Sequence, residues 1–413
     1  MNLLNAMKRY SLPVLLYKVF CKISNCIIFR FSRFTPMKDT IVFASTPDYA
    51  DNARVLCDFM RNDNRFQGYR FIWIVGTDKA AHEVQTAGMQ AIKIRYRTYG
   101  PIAMFAAARS KLVFFTHRLF PSSYIPHQGQ VIANLWHGCG YKHVSPTKLA
   151  FSFALVPGEL FIDVKAKSFS CDRSKILPLG YPRYDRMVSP NTKAHEVKYR
   201  LQIPNSAKVV LWLPTFRKHV FGAYDEGSVE GELGLPLLRS EGELMSLDKE
   251  CAESNICLVI KRHPSQVAYS IEKQASMLQN IRFITQDDLV GQHIDLYELF
   301  AASDALVSDY SSAAVDYLLL DRPIGFVLDD FAKYEEARGF CLPDIKQYMP
   351  GKHIYTLNNL VDFLNQVARN EDRFATERAR VASIAQNPCS NYCERVTQIV
   401  IDALKKSDED TSK

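Results

Sequence analysis

Asp295–Pro323 reads DLYELFAASDALVSDYSSAAVDYLLLDRP, and its periodicity changes twice. Leu296, Leu299, Phe300 and Ala302 recur at helical spacing, Ala305, Leu306 and Val307 form the short apolar run of a buried strand, and Ala314, Val315 and Leu318 resume the helical period. Helix, strand and helix in that order predict a parallel sheet covered by helices. Ser308, Asp309, Tyr310, Ser311 and Ser312 then fall at the carboxyl end of the strand and in the first turn of the next helix. Ligands bind there in open α/β sheets, and the unpaired N–H groups of a helix start suit a phosphate. Ser311 and Ser312 could add hydroxyl donors; alternatively, Ser311 or Asp309 only caps the helix.

The same alternation extends outward in both directions. Toward the N-terminus, Ile41–Ser45, Arg70–Gly76, Ala91–Ile94, Lys111–Thr116, Val131–Trp136 and Phe153–Gly158 read as strands with helical stretches between most of them. A polar interval from Ser189 to Lys208 follows, containing Pro190, Asn191, Pro204 and Asn205. A second series comprises Lys208–Arg217, Ile256–Pro264, Ile281–Thr285, Ala305–Asp309 and Ile324–Leu328, and helical patterns run from Asn358 to Leu404. A chain of 413 residues is too long for one compact core. The expected organisation is a basic segment at 1–38, a first lobe at 39–190, a linker at 191–207, a second lobe at 208–370, and C-terminal helices and tail at 371–413.

The net charge of +7 is unevenly placed. Lys8, Arg9, Lys18, Lys22, Arg30, Arg33 and Lys38 precede the first acid, and removing those seven from 51 leaves 44 basic against 44 acidic residues. A neutral body argues against a nucleic-acid partner. In residues 1–38 the apolar side chains are interrupted so that no uncharged run from Lys8 to Arg33 exceeds eight residues, short of a membrane span. A helix lying on an anionic membrane surface fits this pattern, as does a helix packed on its own domain with snorkelling lysines. Ten cysteines without a CxxC pair fit reduced thiols, and neither Cys21 with Cys26 nor Cys389 with Cys393 has histidine partners at zinc-like spacing, so no metal site is expected.

Several polar clusters follow strands directly. Trp136, His137, Gly138, Cys139 and Gly140 close the Val131 strand, where a histidine can have a pKa near working pH and the glycines on either side of Cys139 let backbone approach a ligand. Lys261, Arg262, His263 and Pro264 close a strand of the second series, and Pro214, Thr215, Phe216 and Arg217 close another. Gly180, Tyr181, Pro182, Arg183 and Asp185 stand just before the linker. Cations and hydroxyls at several strand ends of one lobe describe a pyrophosphate site, and no GxxxxGK[ST] loop is present.

Together these segments resemble the CDP-glycerol glycerophosphotransferases, the family of teichoic acid and capsule polymer polyol-phosphate transferases. The resemblance rests on the WHG at Trp136–Gly138, GYPRYD at Gly180–Asp185, PTFR at Pro214–Arg217, HP at His263–Pro264, the run from Glu298 to Ser312 with Arg322 and Pro323, and RGF at Arg338–Phe340. It implies a GT-B architecture of two Rossmann-like lobes with an inter-lobe cleft, and peripheral attachment at the cytoplasmic face of the cell membrane through a basic N-terminal helix. The implied donor is CDP-glycerol or a related CDP-polyol, with no tightly bound cofactor and an open question of divalent metal. The implied acceptor is a hydroxyl of a lipid-linked or growing polymer. His137 and His263 are the expected catalytic pair, with Thr215, Arg217, Lys261, Asp309, Ser311 and Ser312 on the donor and Trp136, Gly138, Arg183 and Asp185 toward the acceptor or cleft. A GT-B glycosyltransferase using a nucleotide sugar is the alternative enzyme, and a non-catalytic membrane scaffold is the alternative of another class. The chain departs from the family at Cys139 and Gly140, where Thr-Pro is usual, and in a long glycine-rich loop from His219 to Glu243.

Overall fold

A computed structural model of the protein describes residues 11–188, 194–214, 233–261 and 277–411, with side chains to residue 406. Seven strands form the first sheet: β1 (Lys38–Ala44), β2 (Arg70–Val75), β3 (Gln90–Lys93), β4 (Ser110–Phe115), β5 (Val131–Asn134), β6 (Phe153–Leu155) and β7 (Ile176–Leu177). Their order is β3-β2-β1-β4-β5-β6-β7, and every neighbouring pair is parallel. Six strands form the second sheet: β8 (Lys208–Trp212), β9 (Ile256–Lys261), β10 (Ile281–Ile284), β11 (Ala305–Ser308), β12 (Ile324–Val327) and β13 (Lys352–Ile354), in the order β10-β9-β8-β11-β12-β13. These pairs are parallel too. Burial of all six β9 residues and all four of β11 reflects helices on both faces, which is why such strands read as continuous apolar runs rather than alternating ones. β7 and β13 are too short to leave a pattern in sequence.

Each chain half starts at the centre of its sheet, builds outward, and then crosses back. The reversal falls between β1 and β4 in one sheet and between β8 and β11 in the other. Crevices at the carboxyl ends of strands open at such switch points. Ala44 is level with Phe115 and Trp212 with Val307, so Ser45 and Thr116 leave one crevice side by side, as Leu213 and Ser308 leave the other.

The C-terminal helices return to the first lobe. Asp185 accepts N–H bonds from Tyr392 (2.6 Å) and Cys393 (2.9 Å), satisfying two of the donors left open at the start of helix Tyr392–Thr411. The Tyr184 and Tyr392 rings meet edge to face at 5.2 Å, and Arg65 pairs with Glu394. Arg378, 1% exposed, bonds Asp321 and Asp372 and so ties the preceding helix Ala375–Ala385 to the end of the Ser312 helix region.

Helix Leu12–Phe31 presents two different faces. Tyr17, Cys21, Asn25 and Phe29, spaced by four, turn toward the first lobe: Tyr17 meets the Tyr96 ring, Asn25 donates to Tyr99 O, and Phe29 meets Phe120 and Tyr124. Leu12, Leu16, Val19, Phe20, Ile23, Ile27 and Phe31 stay exposed. The spacing of charges had argued against a span; nevertheless the stretch Leu12–Phe34 is long and apolar enough to cross a membrane by length and composition. Lys18 and Lys22 interrupt the apolar run, but lysine stems reach out of apolar surroundings and do not by themselves bar such a helix.

Candidate active site

His137 stands at the carboxyl edge of the first sheet on a turn that several side chains hold in shape. The Asn134 side chain accepts from Trp136 N (3.0 Å), and Asn52, fully buried, donates to Trp136 O (2.9 Å) and Leu135 O (3.3 Å). Trp136 has a φ of 53°, a left-handed conformation that costs a non-glycine residue roughly 1–3 kcal/mol and persists where its surroundings impose it. The Lys165 ammonium lies 4.3 Å from the Trp136 ring, and burial pushes its pKa down.

The imidazole of His137 is oriented from two sides. Its Nδ1 lies 3.2 Å from Thr116 O; a carbonyl only accepts, so Nδ1 carries the proton and Nε2 presents its lone pair. His117 stacks on it with ring centroids 3.9 Å apart. Burial first, and the neighbouring His117 second, hold the His137 pKa down to about 3. Between the ordinary value of 6.5 and about 3 the unfolded chain binds a proton that the folded site refuses, so acidification through that window removes stability. His137→Gln should therefore lose less stability than the parent between about pH 7 and about pH 5, as read from urea midpoints.

The turn abuts the second lobe. A Cβ at Gly138, whose φ is +133°, would lie 2.7 Å from Ser312 Oγ, and one at Gly140 would lie 2.7 Å from the Ser312 backbone nitrogen. Only glycine permits this approach. The segment beyond continues across the interface: Cys341 N donates to Tyr141 O, His143 N to Gly339 O, and Tyr141 OH to Tyr348 O. Arg338–Phe340 thus braces the loop that carries His137. Gly140→Ala should spread the lobes, because its new methyl meets backbone rather than a movable side-chain tip. The expected signs are a larger radius of gyration in small-angle scattering and a lower turnover.

On the second sheet, Ser311 is the N-cap of helix Ser312–Tyr317, its hydroxyl accepting from Ala313 N at 3.3 Å. The capping alternative thus describes the Ser311 hydroxyl, while Ser312 faces the WHG turn. Asp309 is 1% exposed and already engaged. Lys261, 8% exposed at the carboxyl end of β9, meets no carboxylate among the described residues, and burial pushes its pKa down. Thr215, Arg217 and His263 lie outside the described residues. Strand register puts Lys261 at the end of β9, Leu213 just after β8 and Ser308 at the end of β11 on one edge.

Two of the residues expected toward the acceptor or cleft, Arg183 and Asp185, have fixed protein partners. Arg183, 4% exposed, donates to Asp51 (2.7 Å), to His137 O (3.0 Å) and across the lobes to Asp316 (2.8 Å). Tyr184 and Tyr297 also donate to Asp316. Burial opposes the Arg183 charge, but Asp51, Tyr297 and Asp316 more than offset it, and its pKa stands well above the ordinary arginine value. Arg183 is therefore a pin between the lobes at the cleft, beside the His137 turn, whereas Asp185 caps a helix; a buried guanidinium and a helix start each need fixed partners. Asn52, Asp51, His117 and Asp316 escaped the sequence reading. Only His117 had a local signal, a histidine directly after a buried strand, as His137 is. No group of three or more His, Cys, Asp or Glu that could hold a metal occurs among the described residues.

Two parallel α/β sheets whose lobes meet across a histidine-bearing turn form a GT-B-like fold. Solved structures of the wall teichoic acid polymerase TagF share it, one with a TM-score of 0.70, 20% identity and 94% coverage of both chains. A UDP-GlcNAc 2-epimerase from Neisseria meningitidis shares the fold more distantly, with a TM-score of 0.50, 11% identity and coverage of 88% of this chain and 99% of that one. The model of the CDP-glycerol:poly(glycerophosphate) glycerophosphotransferase family matches residues 27–402, and the chain belongs to this family. A teichoic acid glycerol-phosphate transferase of Staphylococcus aureus (strain NCTC 8325 / PS 47) is 24% identical over 370 residues, 83% of this chain and 87% of that protein. The teichoic acid poly(glycerol phosphate) polymerase of Bacillus subtilis (strain 168) is also 24% identical, over 85% of this chain but 47% of its own length. The chain thus spans about half of that larger relative.

Proposed function

We propose that the chain transfers glycerol phosphate from CDP-glycerol to a hydroxyl of a lipid-linked or growing polymer and releases CMP. Family membership supports the reaction class, and one geometric observation carries the reading: the His137 turn of one lobe sits against the Ser311–Ser312 turn of the other, so a base and a phosphate-binding edge share one cleft. Phosphoryl transfer asks the protein for position and charge neutralisation more than for covalent help. Nε2 of His137 takes the acceptor proton as its oxygen attacks phosphorus and the bond to the CMP oxygen breaks. The low pKa keeps the imidazole neutral before the donor arrives; a diphosphate beside it raises its proton affinity, the direction a base needs. Lys261 and the Ser312 hydroxyl, with Thr215, Arg217 and His263, hold the diphosphate and the departing CMP. Asp309 orients this edge. No divalent metal is assigned.

The donor lobe is the one formed by β8–β13, and the first lobe receives the acceptor. Ser311→Ala with Ser312→Ala is expected to raise the KM for CDP-glycerol several-fold, because the Ser312 donor and the Ser311 cap are lost while backbone N–H groups remain. A transfer assay with CDP-glycerol against CDP-ribitol reads the choice of polyol.

Helix Leu12–Phe31 lies on an anionic membrane surface, its exposed apolar row inserted and Lys18, Lys22, Arg30 and Arg33 at the headgroups. The packed Tyr17, Cys21, Asn25 and Phe29 face supports a helix lying along the first lobe rather than one leaving it. Deleting residues 1–33 should release the protein from anionic vesicles and slow transfer to a lipid-linked acceptor more than to a short soluble one. Equal loss on both acceptors would mean that the helix serves folding only.

A further inference from the structure

A cavity of about 280 Å³ opens at the edge of the first sheet opposite the His137 turn. Lys38 and Thr40 of β1, Arg70 and Ile72 of β2, and Gln90 and Ile92 of β3 line it, each pair two residues apart and so on one face of the sheet at the amino end of its strand. Ile102, Phe105 and Arg109 of and just after helix Pro101–Ala108 form the opposite wall.

Its chemistry is unbalanced. Three cations line it and no carboxylate does. Lys38 and Arg70 are exposed and make no side-chain hydrogen bond or ion pair among the described residues, whereas the neighbouring Asp39 is held by Lys111 on the other face. Arg109 donates Nε to Pro36 O at 3.0 Å and stacks 5.1 Å from the Phe105 ring, which fixes its guanidinium at the mouth. Ile102 is 75% exposed and Phe105 40%, so the cationic pocket has an apolar lip. Phe34, 71% exposed, stands two residues before the Pro36 whose carbonyl Arg109 binds.

We propose that this pocket binds the phosphate headgroup of an anionic membrane lipid, with Lys38, Arg70 and Arg109 around the phosphate and Ile102 and Phe105 against the acyl chains. The inference rests on the membrane-surface reading of helix Leu12–Phe31 and adds a second, separate contact. Two separated contacts fix which way the molecule faces the bilayer more closely than the helix does by itself. A phosphate among three uncompensated cations gains charge-assisted bonds, and an apolar lip distinguishes a lipid headgroup from phosphate in solution.

Binding of the full chain to vesicles of phosphatidylcholine and phosphatidylglycerol tests it. K38Q with R70Q removes two exposed cations without touching the core and should weaken binding about tenfold. K79Q with K175Q, which removes the same charge from exposed sites outside the pocket, should change it less than about twofold. Equal weakening by the two pairs would reduce the pocket to net charge and overturn the proposal while leaving the helix reading intact. Failure of the unaltered protein to bind these vesicles would overturn both. Soluble glycerol phosphate in excess should not displace the protein; if it does while the apolar substitution I102N has no effect, the pocket takes free phosphate and the lipid assignment is wrong.

Discussion

His137→Ala is expected to lower turnover with CDP-glycerol by about 10²–10⁴-fold while CMP and CDP-glycerol still bind, because the group removed acts on the acceptor proton and not on the nucleotide. The fold should survive. The turn is held by Asn52, Asn134 and the Arg183 bond to His137 O, all of which engage main chain that the substitution retains. Single-turnover rates with donor binding measured in parallel separate the two effects. Near-normal turnover at saturating acceptor would remove His137 from the role of base. His117→Asn gives a milder companion result: without the stacked ring one depressing influence on His137 is gone, so the acid limb of the rate profile should move to higher pH.

Arg183→Leu carries the largest expected loss of stability, about 3–5 kcal/mol, because it leaves Asp316 as a buried carboxylate without its guanidinium. Asp51 loses its partner as well, and the His137 carbonyl loses a donor. The two lobes meet through this group, so unfolding should also become less cooperative, seen as a reduced slope in urea. Asp316→Asn is the informative partner substitution. It keeps the shape and two of the acceptor contacts while removing the charge, and the double substitution Arg183→Leu with Asp316→Leu should recover part of the loss if the buried charge, rather than packing, is what costs.

Asp295–Pro323 was legible because each of its three elements repeats its own period, and the structure has helix Leu296–Ala302, strand Ala305–Ser308 and helix Ser312–Tyr317 at those places. The strands of both sheets were legible for a related reason: buried parallel strands are unbroken apolar runs, as ICLVIK is in β9. What held the site together was not. Arg183 and Asp316 are 133 positions apart, and Asp316 sits in a helix where a lone acid looks like any solvent-facing residue. Nothing local marks it as the acceptor of three donors. Asn52 likewise reaches 84 positions to shape the Trp136 turn from the first turn of an ordinary amphipathic helix. Asp185 belonged to a recognisable segment, yet its use as a cap depends on helix Tyr392–Thr411 coming back from the far end of the chain. Sequence patterns report period and composition; they do not report which distant backbone groups require a partner.

The N-terminal helix shows the same boundary from the other side. Composition separated its cations from the neutral body, but which face was covered depended on Tyr96, Tyr99 and Phe120, residues of the first lobe whose arrangement the helix sequence does not contain. If this helix lies on anionic lipid as proposed, salt should weaken binding to anionic vesicles, since attraction between charges is screened over about 8 Å at physiological ionic strength, while insertion of its Leu, Ile and Phe side chains would retain part of it.

In the proposed reaction the cleft between β8–β13 and the His137 turn moves a glycerol phosphate group from CDP-glycerol to a hydroxyl. The most direct measurement supplies the purified full chain with CDP-glycerol labelled in both the cytidine and the glycerol, together with a lipid-linked acceptor, and follows each label. The account predicts CMP released in a one-to-one ratio with glycerol phosphate gained by the acceptor, and loss of both signals in His137→Ala. Turnover of a UDP-sugar with CDP-glycerol left intact would contradict it.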